Sequence, residues 1–270
     1  MPAIELILAY DGLPFNGWQI QANGVGVQAL LQRAVRTMTK ERTAVIGASR
    51  TDAGVHALAQ VAHFHTKRNI PPHGWLRGLN SLLPASIRVR QVRQVPATFH
   101  ARRSAKWKRY RYLISTGPVA SPFLLGRAWH IFAPLDLRAM RSAATALIGR
   151  HDFRAFAAAN DGSRSKVRRI YSLKIRTVRG MRPAKGATPK GGCIAVIDII
   201  GDGFLKQMVR NIVGTLVEVG QGKRAAGDIG PILTSQNRRR AGRCAPPGGL
   251  YLVEIGYRLP FKRFRSVPLP

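Results

Sequence analysis

Three residues in the run S-R-T-D-A-G-V-H, residues 49–56, have the types and spacing for chemistry: Arg50, Asp52 and His56. Two residues apart in extended backbone, Arg50 and Asp52 point to the same side. A guanidinium beside a carboxylate favours its charged form, the form a nucleophilic aspartate needs while shielded from bulk water. The same D-A-G also fits a plain turn, with the Asp side chain bonding its own backbone and Gly54 supplying the bend. Upstream, 43–48 (T-A-V-I-G-A) is short, apolar and rich in β-branched residues, and predicts a buried strand. Downstream, 60–65 (Q-V-A-H-F-H) alternates polar and apolar and predicts a half-buried one. Between them a loop presents a cation, a carboxylate and an imidazole on a rigid frame.

A second informative stretch is F-H-A-R-R-S-A-K-W-K-R-Y-R-Y-L-I, residues 99–114, where cations interleave with rings. A strand over 106–114 places Lys106, Lys108, Tyr110 and Tyr112 on one face, and Trp107, Arg109, Arg111 and Leu113 on the other. With Arg102 nearby, this mixture suits single-stranded RNA. Charges meet phosphates, and rings stack on bases for roughly 1–3 kcal/mol per base. The strand predicted over 87–95 (I-R-V-R-Q-V-R-Q-V) has one cationic face. Its Arg88, Arg90 and Arg93 fit either a row of phosphates or the charged protection of an edge strand. Helical periodicity predicts helices over 27–39, 71–82, 136–148 and 204–219. In the last, the rows 204/208/212/216 and 205/209/213/217 are apolar. Arg210 sits just outside that arc, and needs an anionic partner or a path to solvent.

The totals narrow the partners. Of 270 residues, 44 are Lys or Arg and 12 are Asp or Glu, a net charge of +32 with its largest excess over 101–200. Such a field repels itself unless a polyanion neutralises it, so nucleic acid is the expected partner. The length predicts roughly two domains. Cys193 and Cys244 are far apart and predict neither a zinc site nor a disulfide framework. No apolar run approaches the roughly 20 residues of a membrane span. The first residues read as a strand interrupted by Glu5 and Asp11, not a signal peptide, so the expectation is a cytoplasmic protein with no membrane partner. Asp52, His56, His63 and His65 raise a metal site as an alternative. Metal sites for phosphate chemistry usually recruit more carboxylates than this chain readily supplies, and no metal is expected.

R-T-D-A-G-V-H-A followed by Q-V-A-H-F resembles the signature of the TruA-like tRNA pseudouridine synthases. F-H-A-R-x-S-A with Y-R-Y resembles their second motif, and F-L-K-Q-M-V-R-N-I-V-G their third. Y-D-G…G-W-Q-x-Q near the start and A-P-P-G-G-L-Y-L-V-E-I-G-Y near the end also fit, so the resemblance spans about residues 4–257. The chain departs from the pattern at Ser49, where the family usually has Gly, and at Arg103, where an apolar or aromatic residue is expected. The resemblance implies an α+β fold: two similar α/β halves with mainly antiparallel sheets around a basic central cleft, divided here as 1–104 and 105–270. It implies isomerisation of uridine to pseudouridine at positions 38, 39 and 40 of the tRNA anticodon arm, with no cofactor and with a homodimer as the working form. Asp52 would be the nucleophile, attacking uracil C6 or ribose C1′. Tyr110 would stack on the uracil, Arg210 would pair with Asp52, and Arg50 would orient Asp52 or fill the gap left in the stem. The pattern of cations adds Arg88, Arg90, Arg102, Lys106, Lys108, Arg109 and Arg111 as RNA contacts.

Two other functions fit parts of the pattern. A non-catalytic RNA binder with a relic site explains the charge but leaves R-T-D-A-G-V-H without a reason, and a metal-dependent nuclease would lose activity with chelator. The polar, basic segment 158–169 is expected to be a loop, over RNA or simply solvated. The Pro/Gly/Lys-rich segment 180–192 predicts a flexible connection, and the basic tail 259–270 loose order or contact with a partner subunit.

Overall fold

The computed structural model describes residues 3–179 and 193–259. The connection expected at 180–192, and all but the first residue of the tail, lie outside the described residues. In chain order the elements are β1 (Ala3–Tyr10), α1 (Val27–Thr39), β2 (Ile46–Gly47), β3 (His56–His65), α2 (Pro72–Leu82), β4 (Ile87–Val95), β5 (Trp107–Thr116) and β6 (Trp129–Ile131). They continue with α3 (Leu137–Thr145), β7 (Gly149–Asp152), β8 (Val167–Arg179), β9 (Cys193–Gly201), α4 (Met208–Gly220), α5 (Ile229–Ser235) and β10 (Leu250–Gly256). The fold is mixed α+β, with mostly antiparallel strand pairing.

Two units divide the chain: Met1–Lys108 with Tyr251–Pro270, and Arg109–Leu250. The expected division at 104/105 thus falls four residues further on, inside β5, and β10 carries the chain back into the first unit. Both crossings happen within strands. No Pro/Gly-rich linker marks the first, and linker composition is what a sequence reading of boundaries relies on.

In the first unit, β1 pairs antiparallel with β3 on one side and β4 on the other. β10 joins β3 in parallel at Tyr251↔His56. The helix expected over 27–39 forms there, with Val27, Leu31, Ala34 and Val35 buried. The strand expected at 43–48 shrinks to Ile46–Gly47. Side chains hold its neighbours instead: Thr43 Oγ1 donates to the His65 carbonyl (2.8 Å), and Val45 N–H to Gln32 Oε1 (3.4 Å). β3 differs from expectation in the other direction. It starts at His56, four residues early, and is buried along most of its length. Phe64 meets Trp75 of α2 on one face, while His63 meets Phe99 and His100 on the other. With both faces covered, polar residues on this strand are interior too.

In the second unit, β9 lies between β5 and β8, and β7 pairs with β8. Asp136 caps α3, its Oδ1 accepting from the N–H groups of Arg138 (2.8 Å) and Ala139 (3.0 Å). The helix expected over 204–219 starts only at Met208, after Gln207 in the left-handed region at φ 59°. The four residues before it form a turn held from outside. Lys206 N–H donates to Asp161 Oδ1 (3.0 Å), and the Lys206 carbonyl accepts from Ala158 N–H (2.9 Å). The helix is also buried almost all round, Asn211 and Thr215 included, with Arg210 and Glu218 its two residues that are not.

Candidate active site

The loop carrying Asp52 is held by a buried amide. The ladder between β2 and β3 runs on through Ala48 N–H to the Val61 carbonyl (2.8 Å). Gln60, fully buried, then takes over the role of a strand neighbour. Its Oε1 accepts from Ser49 N–H (3.2 Å) and its Nε2 donates to the Ser49 carbonyl (2.7 Å). The same Nε2 lies 3.5 Å from Tyr10 Oη, which is 2.8 Å from Thr51 Oγ1. Burial pushes the Tyr10 hydroxyl up to about 12, against the hydrogen bonds from Thr51 and Gln60, so it stays protonated at neutral pH.

The segment 10–18 backs the loop from behind. Trp18 N–H donates to the Thr51 carbonyl (3.0 Å), and Gly54 N–H to the Phe15 carbonyl (3.3 Å). Gly17 has φ 91°, and a Cβ there would stand 2.5 Å from the Thr51 carbonyl oxygen. No other residue type meets both demands without strain. Tyr10 and Trp18 are therefore core plugs behind the loop, 4% and 1% exposed. Val55 N–H closes a turn on the Asp52 carbonyl (3.1 Å), so D-A-G is a turn by its backbone while presenting the half-buried Asp52 carboxyl.

Arg50 is exposed on this loop. Arg102 is held below the usual arginine range by burial and by the nearby Arg50 guanidinium, which places two cations together beside the loop. Lys108 stands at its root, Nζ donating to the Ala48 carbonyl (2.9 Å) and lying 3.4 Å from Ser49 Oγ. The serine that departs from the family pattern thus contacts a lysine through its hydroxyl. Lys106 is exposed.

His56 does not sit in the loop. It opens β3, 3% exposed, with its ring stacked 4.7 Å from that of Tyr251. Its Nδ1 faces Gly12 N–H (3.1 Å) and Asp11 Oδ1 (3.1 Å). His63 accepts from Ala101 N–H at Nδ1 (3.2 Å), docking the F-H-A-R turn on β3. Burial, and then His100 and His65 beside it, lower its pKa to about 4. Among the described residues, no group of three or more His, Cys, Asp or Glu is placed to hold a metal ion.

In the second unit, Tyr110 is 5% exposed and meets Phe204 edge to face at 5.2 Å. Tyr112, on the same face of β5, donates its hydroxyl to the Pro246 carbonyl (2.7 Å). Arg109 and Arg111 correct the expectation of RNA contact. They are 5% and 0% exposed, and their Nε atoms lie 3.0 and 3.1 Å from Asp198 Oδ1. A guanidinium enclosed and bonded in this way has no surface for a phosphate. Arg210, in the first turn of α4, is half-buried and donates from Nε to the Ala245 carbonyl (2.8 Å). On β4, Arg88 and Arg90 are exposed. Arg88 Nη1 reaches the Pro84 and Ile87 carbonyls (both 2.7 Å) beyond the end of α2, and Arg90 Nη1 the Leu58 carbonyl (3.2 Å).

Three residues that matter here escape a sequence reading. Gln60 sits inside a recognised motif but shows its task only in the hairpin register. Asp198 lies in an apolar strand without comment. Asp161 organises the expected loop 158–169: burial alone would raise its pKa, but Lys166 and the N–H groups of Lys206 and Ser163 hold it down to about 2. That loop is thereby fastened to the turn that precedes Arg210.

The site is thus a half-buried carboxylate framed by buried side chains in a strongly basic α+β chain. Residues 6–102 and 143–258 match the family model described as tRNA pseudouridine synthase. The chain is 43% identical over 258 residues to the tRNA pseudouridine synthase A of Myxococcus xanthus, covering 96% of this chain and 93% of that protein. It is 44% identical over 257 residues to that of Acetivibrio thermocellus (95% and 100% covered), and 42% over 259 residues to that of Citrifermentans bemidjiense (96% and 98%). The chain belongs to the tRNA pseudouridine synthase family, whose members are isomerases.

Proposed function

We propose that this enzyme isomerises uridine to pseudouridine at positions 38, 39 and 40 of the tRNA anticodon stem-loop, with Asp52 as nucleophile. The observation that carries the assignment is the frame around Asp52. A fully buried glutamine bonds the Ser49 backbone, a buried tyrosine bonds the Thr51 hydroxyl, and a left-handed glycine abuts the Thr51 carbonyl, all beside that one carboxylate. Such preorganisation is what a reacting group needs, since small misplacements cost large factors in rate.

The chemistry closes without a cofactor. The N1–C1′ bond breaks, the base turns, and a C5–C1′ bond forms; C5 loses its proton to solvent and N1 gains one. Asp52 adds to uracil C6 or to ribose C1′ and leaves again once the new bond is made. Tyr110 stacks on the everted uracil, Arg210 pairs with Asp52, and Arg50 orients Asp52 or fills the gap left in the stem. Eversion costs a few kcal/mol, offset by stacking and by phosphate contacts from Arg88, Arg90, Arg102, Lys106 and Lys108. The enzyme acts as a homodimer in the cytoplasm.

The test is Asp52→Asn. It should bind tRNA within about twofold of wild type and release no detectable tritium from tRNA labelled at uridine C5. Turnover near the wild-type rate would remove Asp52 as nucleophile. Transcripts carrying uridine at only one of positions 38, 39 or 40 decide the range of sites accepted by the wild-type enzyme.

A further inference from the structure

Outside the site, the run R-R-R-A-G-R, residues 238–243, places four arginines in six positions with no acid between them. It follows α5 and is fastened along α4 by its backbone. Gly242 N–H donates to Thr215 Oγ1 (2.9 Å), Arg243 N–H to Glu218 Oε1 (3.0 Å), and Ala245 N–H to the Arg210 carbonyl (3.2 Å). The approach is as close as backbones allow: a Cβ on Gly214 would stand 1.7 Å from the Arg243 carbonyl oxygen.

The anchoring sorts the arginines into one that holds and three that face out. Arg238–Arg240 form a single 3-10 turn, capped by Asn237, whose Oδ1 accepts from Arg239 N–H (2.9 Å). With three residues per turn, successive side chains diverge by about 120°, so one can turn inward only if the other two do not. Arg238 is the inward one. Its guanidinium donates to Asn211 Oδ1 (2.9 Å) and to the carbonyls of Ala241 (3.2 Å) and Gly242 (3.0 Å). Arg239, Arg240 and Arg243 are exposed, and the Arg243 guanidinium lies 4.5 Å over the Trp129 ring. Glu218, the one acidic side chain of α4, is engaged by Arg224 at 3.0 Å as well as by Arg243 N–H, so it is not reserved for these guanidiniums.

We propose that this strap is a phosphate-binding surface for the tRNA backbone, with Arg239, Arg240 and Arg243 as its contacts. The inference rests on the tRNA reading above and extends it to a surface that neither the motifs nor the basic strands indicate. Three exposed guanidiniums within five residues repel one another, and a polyanion relieves that repulsion. Guanidinium forks match phosphate oxygens in pairs. A backbone already fixed to a buried helix has little freedom left to lose on binding. Contacts of this kind set affinity and register, not base sequence.

The experiment compares wild type with Arg239→Gln/Arg240→Gln in binding of unmodified tRNA over a salt series and in steady-state kinetics. Two lost phosphate contacts should flatten the log–log salt slope by about 1.4–1.8, raise KM, and leave kcat at saturating tRNA in place. A slope and KM equal to wild type would show the strap to be solvated surface only. If melting shows the double variant unfolded, each single variant carries the same test, with about 0.7–0.9 expected. Wild-type pseudouridine formation is scored in parallel: its absence defeats the functional reading, whereas an unchanged slope with intact wild-type activity defeats the strap alone.

Discussion

β4 and β5 carry the same alternation of arginine with apolar or aromatic residues, and their arginines end in opposite surroundings. On β4, Arg88, Arg90 and Arg93 are exposed, and the strand closes one end of the strand order with β1 as its neighbour. On β5, Arg109 and Arg111 are enclosed by the protein. The difference is one carboxylate on the adjacent strand. Asp198 of β9 takes both guanidiniums, with Arg176 of β8 3.7 Å away. Period-two spacing says which residues share a face; it is silent about what lies over that face. The edge strand turns its cations to solvent, while the inner strand uses them inside an ion cluster.

The largest effect that separates the two strands should come from Asp198→Ala. Removing one partner of a buried ion pair costs about 3–5 kcal/mol, read as a shifted midpoint in chemical denaturation; a loss below about 1 kcal/mol would mean the cluster is better hydrated than its burial implies. Next comes Gln60→Leu, the counterpart in the first unit, where the buried partner is a neutral amide. Its loss leaves buried groups of Ser49 unsatisfied, for about 1–3 kcal/mol. It should lower kcat more than it weakens tRNA binding, and equal losses in both would make the amide merely structural.

Acid sharpens the comparison further. His63 titrates near 4 in the fold and near the ordinary histidine value of about 6.5 in the unfolded chain. The unfolded state therefore takes up the proton first, and stability falls as pH drops through that window. His63→Phe should flatten this part of the stability–pH curve, and a curve of unchanged slope would assign the loss to other groups. The smallest effect is expected from Arg90→Ser: stability within about 0.5 kcal/mol, but a salt slope for tRNA flatter by about 0.7–0.9 if the side chain meets a phosphate.

Helix α1, strands β4 and β5, and the loop with its carboxylate were legible because each depends on local spacing or on a motif read residue by residue. The start of α4 was not, since its rows of apolar residues run on to Phe204. The interruption comes from Asp161, more than forty residues earlier, which takes the Lys206 N–H from outside the helix. His56 was misplaced for a related reason: its burial against Tyr251 depends on a strand near the far end of the chain.

The chain by itself determined a strong basic excess that calls for a polyanion and an Arg-x-Asp loop between two strands, and its motifs carried the resemblance that implies an α+β enzyme of RNA. The first two follow from composition and from neighbours in sequence, the last from motifs matched residue by residue. Only the tertiary structure decided which cations face water and which are held inside, because burial depends on side chains brought in from elsewhere. Asp198 reaches Arg109 and Arg111 across nearly ninety residues of chain, and Gln60 closes on Ser49 only once the hairpin is in register.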